Sequence, residues 1–216
     1  MKKTLLLFIV LATLVAPTIS SAAPPSQGPY LSGFIGLTIP SDTDVTGFGL
    51  NDHVEFDPGL NIGGTAGFDF GMVRLEGELS YKQADISRVD DLVSGVGYRG
   101  IDGGIDATSF MANVFVDLHN ESPITPYFGG GVGFASIHQS DTYGTSNLSG
   151  SRTLLYGSDD DSVLAYQVGG GLEVALNRQL SLDLAYRYFG TTKASFIDNE
   201  LEFESHNATV GLRLKY

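Results

Sequence analysis

The 216-residue chain has no cysteine and no tryptophan. The first absence excludes a disulfide framework and any thiolate metal site. The four histidines, His53, His119, His138 and His206, stand far apart, with no spacing that would set two of them on one metal. No cofactor, metal or catalytic residue set is therefore expected. Basic charge is scarce too: 12 Lys and Arg against 25 Asp and Glu give a net −13. So acidic a chain repels phosphate backbones, which argues against nucleic acid as a partner. Past the N-terminus no apolar run approaches the ~20 residues a membrane helix needs. That leaves open a membrane crossing made of strands, whose alternation hides apolar residues from any such count.

The N-terminus is different in kind. Met1-Lys2-Lys3 is basic, Thr4 to Ala16 is apolar and Ser20 to Ala23 is small-residue. This is the pattern of a secretory signal peptide. Pro24 would obstruct cleavage as a first mature residue, so cleavage is expected after Ala22, giving a signal peptide at residues 1–22. Residues 23–29 form a flexible lead-in and residues 30–216 a single domain. Loss of Lys2 and Lys3 takes the net charge from −13 to −15. With 28 Gly, 13 Phe, 10 Tyr and 17% charged residues, disorder is not expected.

What the chain has in quantity is period-two alternation. In the final stretch, Ala208, Val210, Leu212, Leu214 and Tyr216 lie on one side of an extended chain. Asn207, Thr209, Gly211, Arg213 and Lys215 lie on the other. Seven earlier segments alternate likewise: 30–39, 60–70, 73–82, 109–118, 127–134, 164–176 and 180–189. Connections between them are short (Gly71-Met72; His119 to Thr125; Asn177 to Gln179) and long (Ser41–Asp57; Gln83–Gly103; His138–Asp161; Gly190–Glu202) in turn. A helical turn at Asp90 to Ser94 is one reading of the second long connection. Alternating short and long connections are the habit of antiparallel outer-membrane barrels, and an even strand number puts both termini on the periplasmic side. Phe70, Phe128 and Tyr216 fall near the turn ends, Tyr81, Phe110, Phe134, Tyr166, Tyr186 and Tyr188 near the loop ends: two aromatic belts.

Thr209, Gly211, Leu214 and Tyr216 resemble the C-terminal assembly signal of bacterial outer-membrane barrels, with Tyr in place of the more usual Phe. Together with Tyr186-Arg187-Tyr188 and Tyr166-Gln167-Val168-Gly169, the mature chain resembles the eight-stranded barrels of the OmpA-like and opacity-protein-like families. The resemblance implies an all-β, eight-stranded antiparallel up-and-down transmembrane β-barrel, with ten strands as the variant if a long connection joins the wall as a hairpin. It implies a monomer in contact with outer-membrane lipid, lipopolysaccharide and the barrel-assembly machinery.

The polar faces carry Arg74, Glu76, Glu78, Lys82, Asp117, Glu173, Asp183, Arg187, Arg213 and Lys215. An eight-stranded barrel is only wide enough for side chains to fill it. These charges are expected to pair across the lumen, because an unpaired buried charge costs several kcal/mol. Inner-face glycines, as at 129–131, make room for Phe34, Phe115 and Phe189. The expected function is a structural or surface-interaction role, of the adhesion type, in which extracellular loops bind an unknown ligand. A small pore for ions or apolar compounds is the alternative, with a lipid A-modifying enzyme at the rim third. Ser205 and His206 are near the rim, but neighbouring strand residues point to opposite faces. A soluble lipocalin-like barrel would need the faces reversed.

Overall fold

The computed structural model describes residues 27–47, 50–91, 95–120, 122–195 and 200–216. The signal-peptide expectation and most of the lead-in fall outside them. In chain order the strands are β1 (Gly28–Pro40), β2 (Thr43–Gly47), β3 (Leu50–Phe56), β4 (Gly59–Asp69), β5 (Val73–Asp91), β6 (Val96–Asp102), β7 (Gly104–Asp117), β8 (Ile124–Gln139), β9 (Thr142–Ser146), β10 (Arg152–Tyr156), β11 (Asp159–Ala175), β12 (Leu180–Thr191), β13 (Ala194–Ser195), β14 (Glu200–Leu201) and β15 (Glu204–Lys215).

Eight of these close a ring. β1 pairs with β4, then β5, β7, β8, β11, β12 and β15 follow, and β15 returns to β1; every pairing is antiparallel. The seam is a full ladder, from Tyr30 opposite Lys215 to Pro40 opposite Ser205. Closure leaves no edge in the wall, the condition for a sheet to cross a bilayer. Alternation decides which face is which. Val132 and Phe134 on β8 are 68% and 63% exposed, whereas Met111, Phe115 and Phe189 are buried inside. Apolar residues therefore cover the outside and charged ones line the inside. The lipocalin-like arrangement has the opposite polarity and is excluded.

At one end the connections are tight. The Phe70 amide donates to the Val73 carbonyl at 2.9 Å across Gly71, whose φ of +101° favours glycine. Asn177 Oδ1 accepts from the amides of Gln179 and Leu180, closing the β11–β12 turn. At the other end the long connections are not loops. β5 runs to Asp91, so Asp90 and Asp91 are strand and not a helical turn; residues 92–94 lie outside the described set. β2–β3, β5–β6 and β9–β10 are antiparallel pairs stacked on one another, β3 on the upper part of β5 and β6 on β9, with β13 and β14 following β2. These hairpins form a crown above the wall without joining it, so the ring keeps eight strands. β5 has 19 residues and β11 has 17, against the 9–11 that cross a bilayer.

Candidate functional site

The lumen has two fillings. At the turn end it is a dense charge network. Arg187 on β12 reaches across to Glu78 on β5 in close contact and to Glu76 at 3.6 Å. Arg213 on β15 holds Glu173 in close contact and Asp183 at 2.6 Å. Lys215 bridges Glu173 at 2.9 Å and Asp69 at 3.2 Å. Arg74 lies 3.5 Å from both Asp117 and Glu173, inside a cage of the Tyr30, Phe115 and Tyr127 rings, with its guanidinium carbon 4.5 Å from the Tyr127 centroid. Neutral groups complete the network. The Tyr30 hydroxyl donates to Glu76 and the Tyr127 hydroxyl to Asp183, both at 2.7 Å. Asn113 and Gln167 amides donate to Glu78 at 3.3 and 3.1 Å. Space for the rings comes from glycine: a Cβ on Gly171 would stand 2.6 Å from the Tyr127 hydroxyl, and one on Gly129 would stand 2.8 Å from Phe115 Cδ1.

All ten interior charges named from the sequence face this lumen, but among the described residues Lys82 makes no direct ion pair. Its ammonium donates to the Ser80 and Ser109 hydroxyls at 2.9 and 3.3 Å and sits 4.1 Å over the Phe189 ring. Alternation alone did not single out Asp69, Tyr30, Tyr127, Asn113 and Gln167. The parity of Phe68 and Phe70 would have placed Asp69 inside. The assembly-signal residues are not brought together: Thr209 and Gly211 face inward, Leu214 and Tyr216 outward. Ser205 is buried in the lumen against Asn207 and His206 is outside, so no Ser–His pair forms.

Above Phe189 the filling turns apolar. Met111, Ile105, Ala107, Ala135, Ile137, Val163 and Ala165 from the wall pack with Val54, Val89, Tyr156 and Phe203 from the crown. Beyond the outward Phe110, Phe134 and Leu164 these strands carry apolar residues inside and polar ones outside, the polarity of a water-soluble barrel. A register shift at Glu55 and Phe56 on β3 makes Ser87 the extra residue of β5, so that Ile86 and Val89 both point in. One carboxylate is buried in this crown. Asp52 Oδ2 accepts from the Tyr156 hydroxyl at 2.5 Å, linking β3 to β10, and Asp91 stands opposite in the register. On the crown's surface the β9–β10 hairpin exposes Tyr143, Leu148 and Leu154, with Arg152 bound to Asp102 at 2.7 Å and stacked over Tyr143. Among the described residues no three acidic or histidine side chains converge to hold a metal ion.

A closed eight-stranded ring with an apolar exterior and a charged interior is the architecture of an outer-membrane barrel, and the family model for the outer membrane protein beta-barrel domain matches residues 6–215. The chain belongs to that family. Outer membrane protein PagN of Salmonella typhimurium is 25% identical over 88% of this chain and 85% of its own. A putative adhesin of Rickettsia bellii is 23% identical over 99% of both chains. Among solved structures, Neisserial surface protein A matches with a TM-score of 0.54 at 16% identity, covering 88% of this chain and 97% of that one. At that identity the likeness speaks to the fold alone.

For this outer-membrane barrel the crown carries a pH dependence. Burial raises the Asp52 carboxyl above its ordinary pKa; the Tyr156 hydrogen bond opposes the rise and Asp91 adds to it. Burial and the bond to Asp52 raise the Tyr156 phenol, next to Tyr98 and Asp91. A raised folded-state pKa means that the folded crown holds this proton more tightly than the unfolded chain does. The crown is then most stable with Asp52 protonated, and loses stability as pH rises from the unfolded value through the folded one. Asp52→Asn removes that loss while leaving an acceptor for Tyr156. Hydrogen exchange of β3 and β10 amides should be slower in the variant than in wild type at pH 7, with the difference disappearing in acid. Equal or faster exchange in the variant at pH 7 refutes the assignment.

Proposed function

We propose that the protein is a non-catalytic surface-interaction protein that binds an extracellular ligand through its crown. In this reading the tight turns and both termini are periplasmic and the crown stands outside the cell. The observation that carries it is the β9–β10 hairpin. Leu148 is 80% exposed and Leu154 50% exposed, on a part of the chain that is otherwise polar outside. Exposed apolar residues at the tip of a rigid, hydrogen-bonded support are what a recognition surface offers. The adhesin name carried by the Rickettsia relative agrees with this reading. Contact with lipopolysaccharide and delivery by the barrel-assembly machinery belong to the same reading.

The test is display of the full protein on cells that lack it, with binding measured to a panel of purified extracellular-matrix proteins and to cultured cells. Tyr143, Leu148 and Leu154 changed together to Ser should abolish the binding while heat-modified gel mobility stays that of the folded barrel. Binding no greater than that of the empty strain, or binding unchanged in the triple variant, overturns the reading.

A further inference from the structure

Where the apolar wall ends at the crown side, five outward side chains on β11, β12 and β15 form one connected group. The Tyr186 hydroxyl and His206 Nδ1 are 2.7 Å apart, and the two rings stack at an angle of 20°. The Tyr188 ring lies 5.4 Å from the same imidazole and 6.3 Å from the Tyr166 ring. Register aligns them: Tyr188 stands opposite His206, and Gly190 stands opposite Glu204 on one side and Tyr166 on the other. Tyr166 lies over Gly190, where a Cβ would be 2.6 Å from Tyr166 Cζ. Beneath the group the surface is plain hydrocarbon, including Val168, Leu184 and Leu37.

Its depth follows from the strand. His206 is ten residues from Tyr216 along β15. At ~3.3 Å per residue and a tilt of ~40° that is about 25 Å, the height of the apolar band of such barrels. With Tyr216 at one interface, His206 lies at the other, at the level of lipid headgroups. An aromatic girdle needs only rings. Elsewhere on this belt Phe110 and Phe134 face each other as bare hydrocarbon, and the one phenol, Tyr81, is tied to Asp106. Three phenols, an imidazole and a carboxylate in one outward cluster exceed that need. Flat aromatic faces stack on the apolar faces of pyranose rings. Hydroxyl, imidazole and carboxylate groups exchange hydrogen bonds with sugar hydroxyls and amides. Glu204 disfavours a headgroup that presents only phosphate.

We propose that Tyr166, Tyr186, Tyr188, Glu204 and His206 bind the sugar headgroup of a glycolipid in the outer leaflet, whose acyl chains lie along the hydrocarbon surface beneath. The assignment rests on the crown being outside, but not on the crown having a ligand of its own. The probe is monophosphoryl lipid A added to the folded full-length protein in detergent, with phosphatidylethanolamine as the competing lipid and native mass spectrometry as the readout. Wild type should retain one lipid A in preference to phosphatidylethanolamine. Tyr186→Ala with His206→Ala should weaken retention about tenfold, the loss expected for two stacking groups and a hydrogen bond. Tyr81→Phe on the opposite wall should change nothing. Should the double variant not give the gel mobility of a folded barrel, Tyr188→Phe with Glu204→Gln makes the same comparison while keeping every ring. Equal retention by variant and wild type, or phosphatidylethanolamine held as tightly as lipid A, overturns the proposal. Neither result bears on crown binding to cells, so the two readings fail separately.

Discussion

Arg187→Ala is expected to lower the stability of the barrel by about 3–5 kcal/mol, the cost of stranding buried charge, reduced by whatever lumen water screens the carboxylates. Arg187 neutralises Glu78 and Glu76 together, and all three side chains are nearly excluded from solvent. Its removal leaves Glu78 with the amides of Asn113 and Gln167 and Glu76 with the Tyr30 hydroxyl, the cations of Lys82 and Arg213 acting on them from farther off. Neutral donors recover part of a lost ion pair but not its charge. The measurement is the temperature at which the folded band is lost on an unboiled gel, followed by urea unfolding in detergent. Glu78→Gln in the same chain should restore part of the loss, because one stranded charge goes with it. A wild-type midpoint for Arg187→Ala sinks the assignment. If the charge network were the lumen's one seal, breaking it would also let the barrel open briefly to ions. The apolar packing from Phe189 upward is a second and independent seal. Conductance of Arg187→Ala in a planar bilayer should therefore stay at the wild-type level.

Tyr216→Glu is expected to leave unfolded protein in the periplasm and little at the cell surface. Tyr216 is outward and 67% exposed, next to the seam where its amide donates to the Pro29 carbonyl at 3.1 Å. A charged residue on the lipid face near an interface costs only about 0–1 kcal/mol, too little to unfold a barrel closed by a full β1–β15 ladder. If the residue matters only to the finished fold, the variant should reach the membrane almost normally. If Tyr216, with Leu214, Gly211 and Thr209, is read during assembly, surface levels should collapse although the protein refolded in detergent keeps nearly wild-type heat resistance. Surface labelling in cells and gel mobility of the refolded protein separate the two. Normal surface levels refute a role in assembly.

Alternation is a property of neighbouring residues, so the sequence by itself determined much of this protein. Leu31, Ile35 and Leu37 outward against Tyr30, Phe34 and Thr38 inward follow from period two alone, as does Arg187 inward between Tyr186 and Tyr188. Eight such segments with tight turns at one end imply a closed wall with hydrocarbon outside. The tertiary structure decided two things that no local pattern holds. The first is pairing inside the lumen. Arg187 meets Glu78 from 109 residues away, on a strand that is not its neighbour, and only the stagger and closure of the ring set which charges share a level. The same geometry gave Lys82 two hydroxyls and a ring where the sequence suggested an acid. The second is the crown. From Ala84 to Val89, at Ile105 and Ala107, and at Ala135 and Ile137, the strands continue with apolar residues turned in and polar ones turned out. That inversion reads as a loop to anyone following the membrane pattern, and the extra residue at Ser87 breaks the period as well. It becomes a strand signal only once the height at which hydrocarbon gives way to water is known. That height belongs to the assembled barrel, because above it the outside solvent is water and the apolar side chains can leave it only by packing inward.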